Sequence, residues 1–200
     1  MSLVRLLPCP MPKTAILLII LALIAFEAWR LSNDETVRLR QTWQFTTSDG
    51  PLVVSDVLEL RQGAAIPYLP GGEVGKAETI GRIPVSFRIS GKDYFISSEP
   101  RSLIGNAARA GKANPPVSMD GLRNEYTTGF IRRLRRANTT ITITATEMSA
   151  FEREKIVIAS ELYDWGGLKK SKSLSDFEAE HPGFRLLSVT YKVTKEPVDR

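Results

Sequence analysis

The residues of this chain with chemical potential are one serine, one histidine, a few glycine-lysine pairs and a cluster of arginines. A serine becomes a nucleophile when a base takes its proton, and a lysine can serve as that base. Ser118 is the candidate serine, and Lys155, on a short apolar segment, is the best-placed lysine. The competing reading, a Ser118 hydroxyl capping the helix behind it, is the one we prefer. His181 lies near Glu178 and Glu180, and a histidine oriented by a carboxylate can move protons. Here the triplet His181-Pro182-Gly183 spells a turn, so the structural role is expected. Gly71 to Lys76 and Gly105 to Lys112 each end in Gly-Lys, as a phosphate-binding loop does. Such a loop needs a glycine five residues before that pair and a Ser or Thr after it. Pro70 and Ala77 stand at those places in the first, Asn106 and Ala113 in the second, so no nucleotide site is expected. Asp164-Trp165-Gly166-Gly167 offers an aromatic platform, although a Trp covering the end of a sheet explains it as well. With one histidine, and a single cysteine at Cys9, the donors of a usual zinc site are missing. No cofactor, metal ligand or catalytic residue is assigned, and an enzyme is the less favoured expectation.

The arginines are the strongest surface feature. Arg132, Arg133, Arg135 and Arg136 fall within five residues on a predicted helix. Such a face could meet a partner protein or anionic lipid headgroups. No aromatics are interleaved on the basic side to stack bases, so nucleic acid is not an expected partner. The formal charge of +5 is mild and fits a solvated surface equally well.

The most apolar stretch lies ahead of all these residues. Thr14 to Phe26 is thirteen residues without a charge, and Trp29-Arg30 follows it as an interfacial aromatic with a snorkelling cation would. Allowing Glu27 at the edge, the run reaches Trp29, sixteen residues in all, which falls between a signal-peptide core and a membrane span. No small-residue cleavage site follows it, since Leu23 and Phe26 occupy the critical third positions. The expectation is an uncleaved anchor, with Thr14, Phe26, Trp29 and Arg30 marking it. This divides the chain into a leader (1–13), an anchor (14–30), a stalk (31–40) and a soluble β-rich domain (41–200). The short leader favours an N-terminus kept in the cytoplasm and a C-terminal domain in the periplasm.

The domain itself alternates between strand and turn signals. Gln41–Thr47 and Leu52–Leu60 flank the turn Ser48-Asp49-Gly50-Pro51 and predict a hairpin. Arg82–Ser90 and Asp93–Ser97 predict a second. Gln62–Gly75 and Pro100–Pro116 are expected to be connections, and Asp120–Ala137 a helix with Leu122, Tyr126, Phe130 and Leu134 on its apolar face. Thr139–Thr146, TTITITAT, alternates strictly and predicts a strand with one packed and one wet face. A short strand at Lys155–Ala159, a loop through Lys169–Ser173, a short helix at Leu174–Glu180 and a last strand at Phe184–Thr194 complete the pattern. Lys195–Arg200 is a tail. The fold class is therefore α+β: an N-terminal transmembrane helix, then a mostly antiparallel sheet domain with one main helix.

This order of features, with the hairpins Trp43–Leu60 and Arg82–Ser97 and the closing HPGFRLLSVTYKVTKEPV (His181–Val198), resembles a family of small single-span membrane proteins of proteobacteria. The resemblance implies an anchored, β-rich domain and supplies no activity, so no residue inherits a role. Ser118-Met119 is also similar to the Ser-Met pair of membrane-anchored signal peptidases, although those place the serine directly after the anchor. The function expected is a non-enzymatic domain of the inner membrane, bound to the bilayer and to an envelope protein partner. The alternatives are a Ser/Lys hydrolase and an anionic-lipid-binding domain working through Arg132–Arg136.

Overall fold

A computed structural model describes residues 13–32, 34–63, 77–81, 84–122, 127–163 and 167–198. The organising element is a long hairpin. β1 (Glu35–Thr47) and β2 (Gly50–Gln62) pair antiparallel over their full length, from Glu35↔Gln62 to Thr47↔Gly50. Alternation builds it: Val37, Leu39, Gln41, Trp43 and Phe45 turn inward and are buried, while Arg38 and Gln44 face out. Gly50, at φ +116°, makes a turn that other residues seldom enter, and Thr47 Oγ1 donates to its carbonyl at 2.8 Å.

A six-stranded sheet grows from this hairpin. Its order is β3 (Ala77–Gly81), β2, β1, β10 (Arg185–Val193), β7 (Thr140–Thr144), β6 (Ala113–Asn114). A second, four-stranded sheet has the order β4 (Val85–Ile89), β5 (Lys92–Ser97), β8 (Val157–Leu162), β9 (Leu168–Ser173). Every pairing is antiparallel. The inner faces meet through aromatic rings. Phe45 of the first sheet stacks on Phe87 of the second at 5.7 Å and on Phe184 at 4.9 Å, and Phe87 stacks on Tyr94 at 5.7 Å.

Five helices complete the described chain: α1 (Lys13–Ser32), α2 (Pro100–Arg109), α3 (Thr128–Ala137), α4 (Ala150–Glu154) and α5 (Leu174–Glu180). α3 buries Phe130, Ile131 and Leu134. α2 buries Leu103, Ile104, Ala107 and Ala108, a 3–4 spacing hidden in a segment rich in small residues. The C-terminal tail leaves β10 and crosses β1 and β2. Thr194 N–H donates to the Arg38 carbonyl at 3.0 Å, Glu196 pairs with Arg40, and Val198 reaches Gly81. A side chain at Gly81 would meet the Val57 carbonyl at 2.9 Å and Val198 at 3.3 Å, and its φ of +140° also requires glycine.

The antiparallel α+β domain is present, but its expected transmembrane helix is not. Among the described residues no helix is long and apolar enough to cross a membrane. The uncharged part of α1, Thr14 to Phe26, would span about 20 Å at 1.5 Å per residue, against a hydrocarbon core of about 30 Å. Glu27 and Arg30 then interrupt it. The anchor role of Thr14, Phe26, Trp29 and Arg30, and the single-span description with it, is accordingly not carried forward. α1 still exposes apolar residues on every side, Leu17, Leu18, Ile19, Ile20 and Leu21 in succession, and Phe26 stacks on an exposed Trp29 at 6.0 Å.

Other boundaries move for local reasons. The expected stalk contributes residues 35–40 to β1, whose buried Val37 and Leu39 continue the alternation of Trp43 and Phe45. The expected single main helix is one of five, and it starts at Thr128, eight residues late. Ser118, Asp120 and Gly121 (φ +70°) form a turn ahead of it, and Thr127 is its cap, with its hydroxyl accepting from Phe130 N–H at 3.2 Å. Lys169–Ser173, expected as loop, lies within edge strand β9, where exposed lysines guard an open strand edge. Gly71–Lys76, Tyr126 and Asp164–Gly166 lie outside the described residues.

Candidate functional site

A well-lined depression opens where β1 begins, α3 ends and the tail departs. It is a cleft of about 820 Å³ lined by Thr36, Val37, Arg38, Glu59, Arg135, Asn138, Val193, Thr194 and Lys195. Strand register supplies its floor. Arg38 and Glu59 stand directly opposite each other on β1 and β2, and Arg38 Nε donates to Glu59 Oε2 at 3.1 Å. Arg61 adds a second contact to the same carboxylate at 3.3 Å. Helix termination supplies its wall. Asn138 adopts the left-handed conformation (φ 48°, ψ 45°) that ends α3 and turns the chain into β7. The tail supplies its rim, because the Arg40–Glu196 ion pair and the Thr194–Arg38 backbone bond hold Lys195 between them.

Charge in and around the cleft is uneven. Three cations line it against one carboxylate. Beneath it lies Glu35, only 8% exposed. Arg132 Nε donates to its Oε1 at 2.8 Å, and Arg135 Nη2 approaches its Oε2 at 2.7 Å as an ion pair without an aligned hydrogen bond. Arg135 also donates to the Thr36 carbonyl at 3.5 Å. Arg133 Nη1 donates to the carbonyls of Ser118 and Asp120 at 2.7 and 2.9 Å. Among the described residues Arg136 and Lys195 have no ion-pair partner, and both are exposed. The four clustered arginines are thus three anchored side chains and one free one. They pin α3 to the start of β1 and to the preceding turn, and only Arg135 lines the cleft.

The other chemical candidates find local partners. Ser118 Oγ donates to Asp120 Oδ2 at 2.9 Å and accepts from Asp120 N–H at 3.1 Å, a side-chain turn. Lys155 pairs with Glu99 at 3.2 Å and sits 4.4 Å over the Phe151 ring. No contact brings Ser118 and Lys155 together. Glu178 accepts from Arg153 at 2.6 Å and from Leu186 N–H at 2.9 Å, which commits it to holding α5 against β10. Elsewhere, carboxyl acidity follows the ammonium groups beside it. Lys112, with help from Thr144, holds Glu147 down to about 2, and Lys170 holds Glu161 below the usual carboxylate range. Burial raises the Tyr191 hydroxyl above its ordinary value.

The sequence reading missed Glu35, Arg38 and Lys195, which it had left in a stalk and a tail. A signal was available: Glu35, Val37, Leu39 and Gln41 alternate with Arg38 and Arg40, the period of a strand with one basic face. Comparison of the chain with family models, with curated proteins and with solved structures found no match.

Proposed function

We propose that this chain is a non-enzymatic binding domain that takes an acidic segment of a protein partner in the cleft between β1, the end of α3 and the tail. The observation that carries this reading is the lining itself: Arg38, Arg135 and Lys195 against Glu59, in a space of about 820 Å³. That volume suits several residues of a peptide rather than a single ion. Lys195 has no ion-pair partner among the described residues, so it can meet a ligand carboxylate without first giving one up. Arg38 and Arg135 are already oriented by Glu59 and Glu35, which lowers the ordering cost of presenting their remaining donors. A concave lining also favours a chain segment over a flat lipid surface, since three of the four clustered arginines are tied to this protein's own oxygens.

Fluorescence anisotropy with a labelled ten-residue glutamate-rich peptide tests the reading. Binding is expected at about 50 mM salt and should weaken several-fold at about 300 mM, where the Debye length roughly halves. Lys195→Glu should weaken it about tenfold, the loss of one charge-assisted contact and its replacement by repulsion. No binding at low salt, or binding indifferent to Lys195→Glu, contradicts the proposal.

A further inference from the structure

A second depression lies at the opposite sheet and has a different character. It sits between the inner face of the β5–β8–β9 ladder and the C-terminal end of α5, with a volume of about 280 Å³. Its floor is apolar, built from Ile158, Tyr94 and Phe177, all buried. Phe177 packs edge-on against Tyr94 at 5.0 Å and lies flat against the His181 ring at 4.0 Å.

His181 is fixed as a wall rather than poised as a base. Its Nδ1 lies 3.0 Å from the Phe177 carbonyl, which can only accept, so Nδ1 carries the proton. Nε2 then accepts from the Tyr94 hydroxyl at 3.3 Å. Both ring nitrogens are occupied, and the imidazole supplies a flat face.

The rim is cationic. Lys92 comes from β5, and Lys170 and Lys172 come from β9. One carboxylate, Glu180, joins the lining and pairs with Lys172. Lys170 pairs with Glu161 outside the cavity. Lys92 has no carboxylate partner among the described residues. The two ion pairs are about half exposed on both sides and therefore weak, so Lys170 and Lys172 can exchange partners at little cost. Lys170 also sits at φ +54°, a conformation that costs a lysine free energy. The β8–β9 ladder runs through Ala159↔Ser171 and Glu161↔Lys169, and the residues between, Ser160 and Lys170, both line the cavity. The backbone strain thus coincides with the cavity wall.

We propose that this cavity binds a small organic phosphate, a phosphate monoester on a flat apolar body. Three lysines against one glutamate leave a lining charge of +2 (3 − 1), which matches a dianion. The Phe177–Tyr94–Ile158 floor accepts the body, and Lys92 and Lys172 meet the phosphoryl oxygens. The space, roughly nine water volumes, fits a single ring with its phosphate and excludes a polymer chain.

Isothermal titration calorimetry of the full chain with phenyl phosphate tests this. Saturable one-site binding is expected, weakened about tenfold by Lys92→Ala and again by Lys172→Ala, one charge-assisted contact each. Inorganic phosphate and benzoate should each bind at least about tenfold more weakly, since one lacks the body and the other the second charge. Lys195→Glu should leave binding unchanged, which separates this cavity from the acidic-segment cleft. Perturbation of the Phe177 and His181 ring signals in NMR spectra on adding phenyl phosphate gives a second readout that needs no variant. Absence of binding overturns the proposal. So does equal affinity for inorganic phosphate or benzoate, affinity indifferent to both lysine substitutions, or ring signals that do not move.

Discussion

The acidic-segment cleft and the phosphate cavity are built on opposite plans. The cleft on the six-stranded sheet uses two arginines organised by carboxylates, one of them buried at Glu35, together with Lys195, which has no ion-pair partner among the described residues. The cavity on the four-stranded sheet uses lysines at the rim of an aromatic floor, and its ion pairs are exposed. A guanidinium forks between an internal oxygen and a ligand, so it can be anchored and still bind. An ammonium on a flexible stem gives one partner up to take another. The difference separates a pre-oriented surface for an extended acidic chain from a compact pocket for one small anion. It also separates their stability: the cavity floor is core, whereas Lys195 at the cleft is surface.

Phe177→Ala should break that contrast most severely. Phe177 is buried among Tyr94, Phe87, Phe184 and His181, and losing the ring should cost about 3–5 kcal/mol, read as a shifted denaturation midpoint. Lys195→Ala should cost no more than about 0.5 kcal/mol, because it removes only a surface ammonium. Equal costs would mean that the two sites do not differ in their structural support.

Glu35→Gln comes next. It removes the negative charge beneath Arg132 and Arg135, and stability should fall by about 1–2 kcal/mol, discounted because both guanidiniums are about half exposed. Without that carboxylate to orient it, Arg135 should present its donors less well and the glutamate-rich peptide should bind a few-fold more weakly, while phenyl phosphate binding stays the same. Glu180→Gln is the matching change in the cavity. It should release Lys172 and tighten phenyl phosphate a few-fold, with a stability change within about 0.5 kcal/mol.

The smallest effect lies outside both sites. Glu147 has its carboxyl lowered to about 2 from 4.5, chiefly by Lys112. A depressed folded-state value stabilises the fold above pH 4.5, and that contribution is lost as pH falls from 4.5 towards 2. Glu147→Gln should flatten acid unfolding in that window and leave both ligands' binding untouched. An unchanged acid transition would show that the Lys112 pair contributes nothing.

Much of the sheet architecture could be seen in the chain, because alternation is a strong local signal. Ile141 and Ile143 are buried while Thr142 faces solvent, as TTITITAT implied, and the hairpins centred on Gly50 and Gly91 form where turn residues pointed. The failures have physical causes. α2 hid because Ala and Gly lower its apolar contrast, although Pro100 and the Leu103–Ala107 spacing marked it. β9 has no apolar alternation and is held as strand by pairing with β8, a tertiary effect. The long uncharged run of α1 suggested a span that Glu27 and Arg30 cut short. The arginine cluster was legible as charge but not as structure, since Glu35 lies 97 residues before Arg132. Neither depression could be found locally: each gathers residues from at least three elements that only the fold makes neighbours.

The central claim is that the cleft's charge selects an acidic chain segment, and a charge swap tests it most directly. Lys195→Glu reverses the charge of an exposed lining side chain that has no ion-pair partner among the described residues, so the fold should be retained. Anisotropy at low salt should then show binding of the glutamate-rich peptide weakened about tenfold, as the lining's net positive charge is cancelled. If the substituted chain, shown to be folded, still binds the glutamate-rich peptide as the original does, the cleft is not the site.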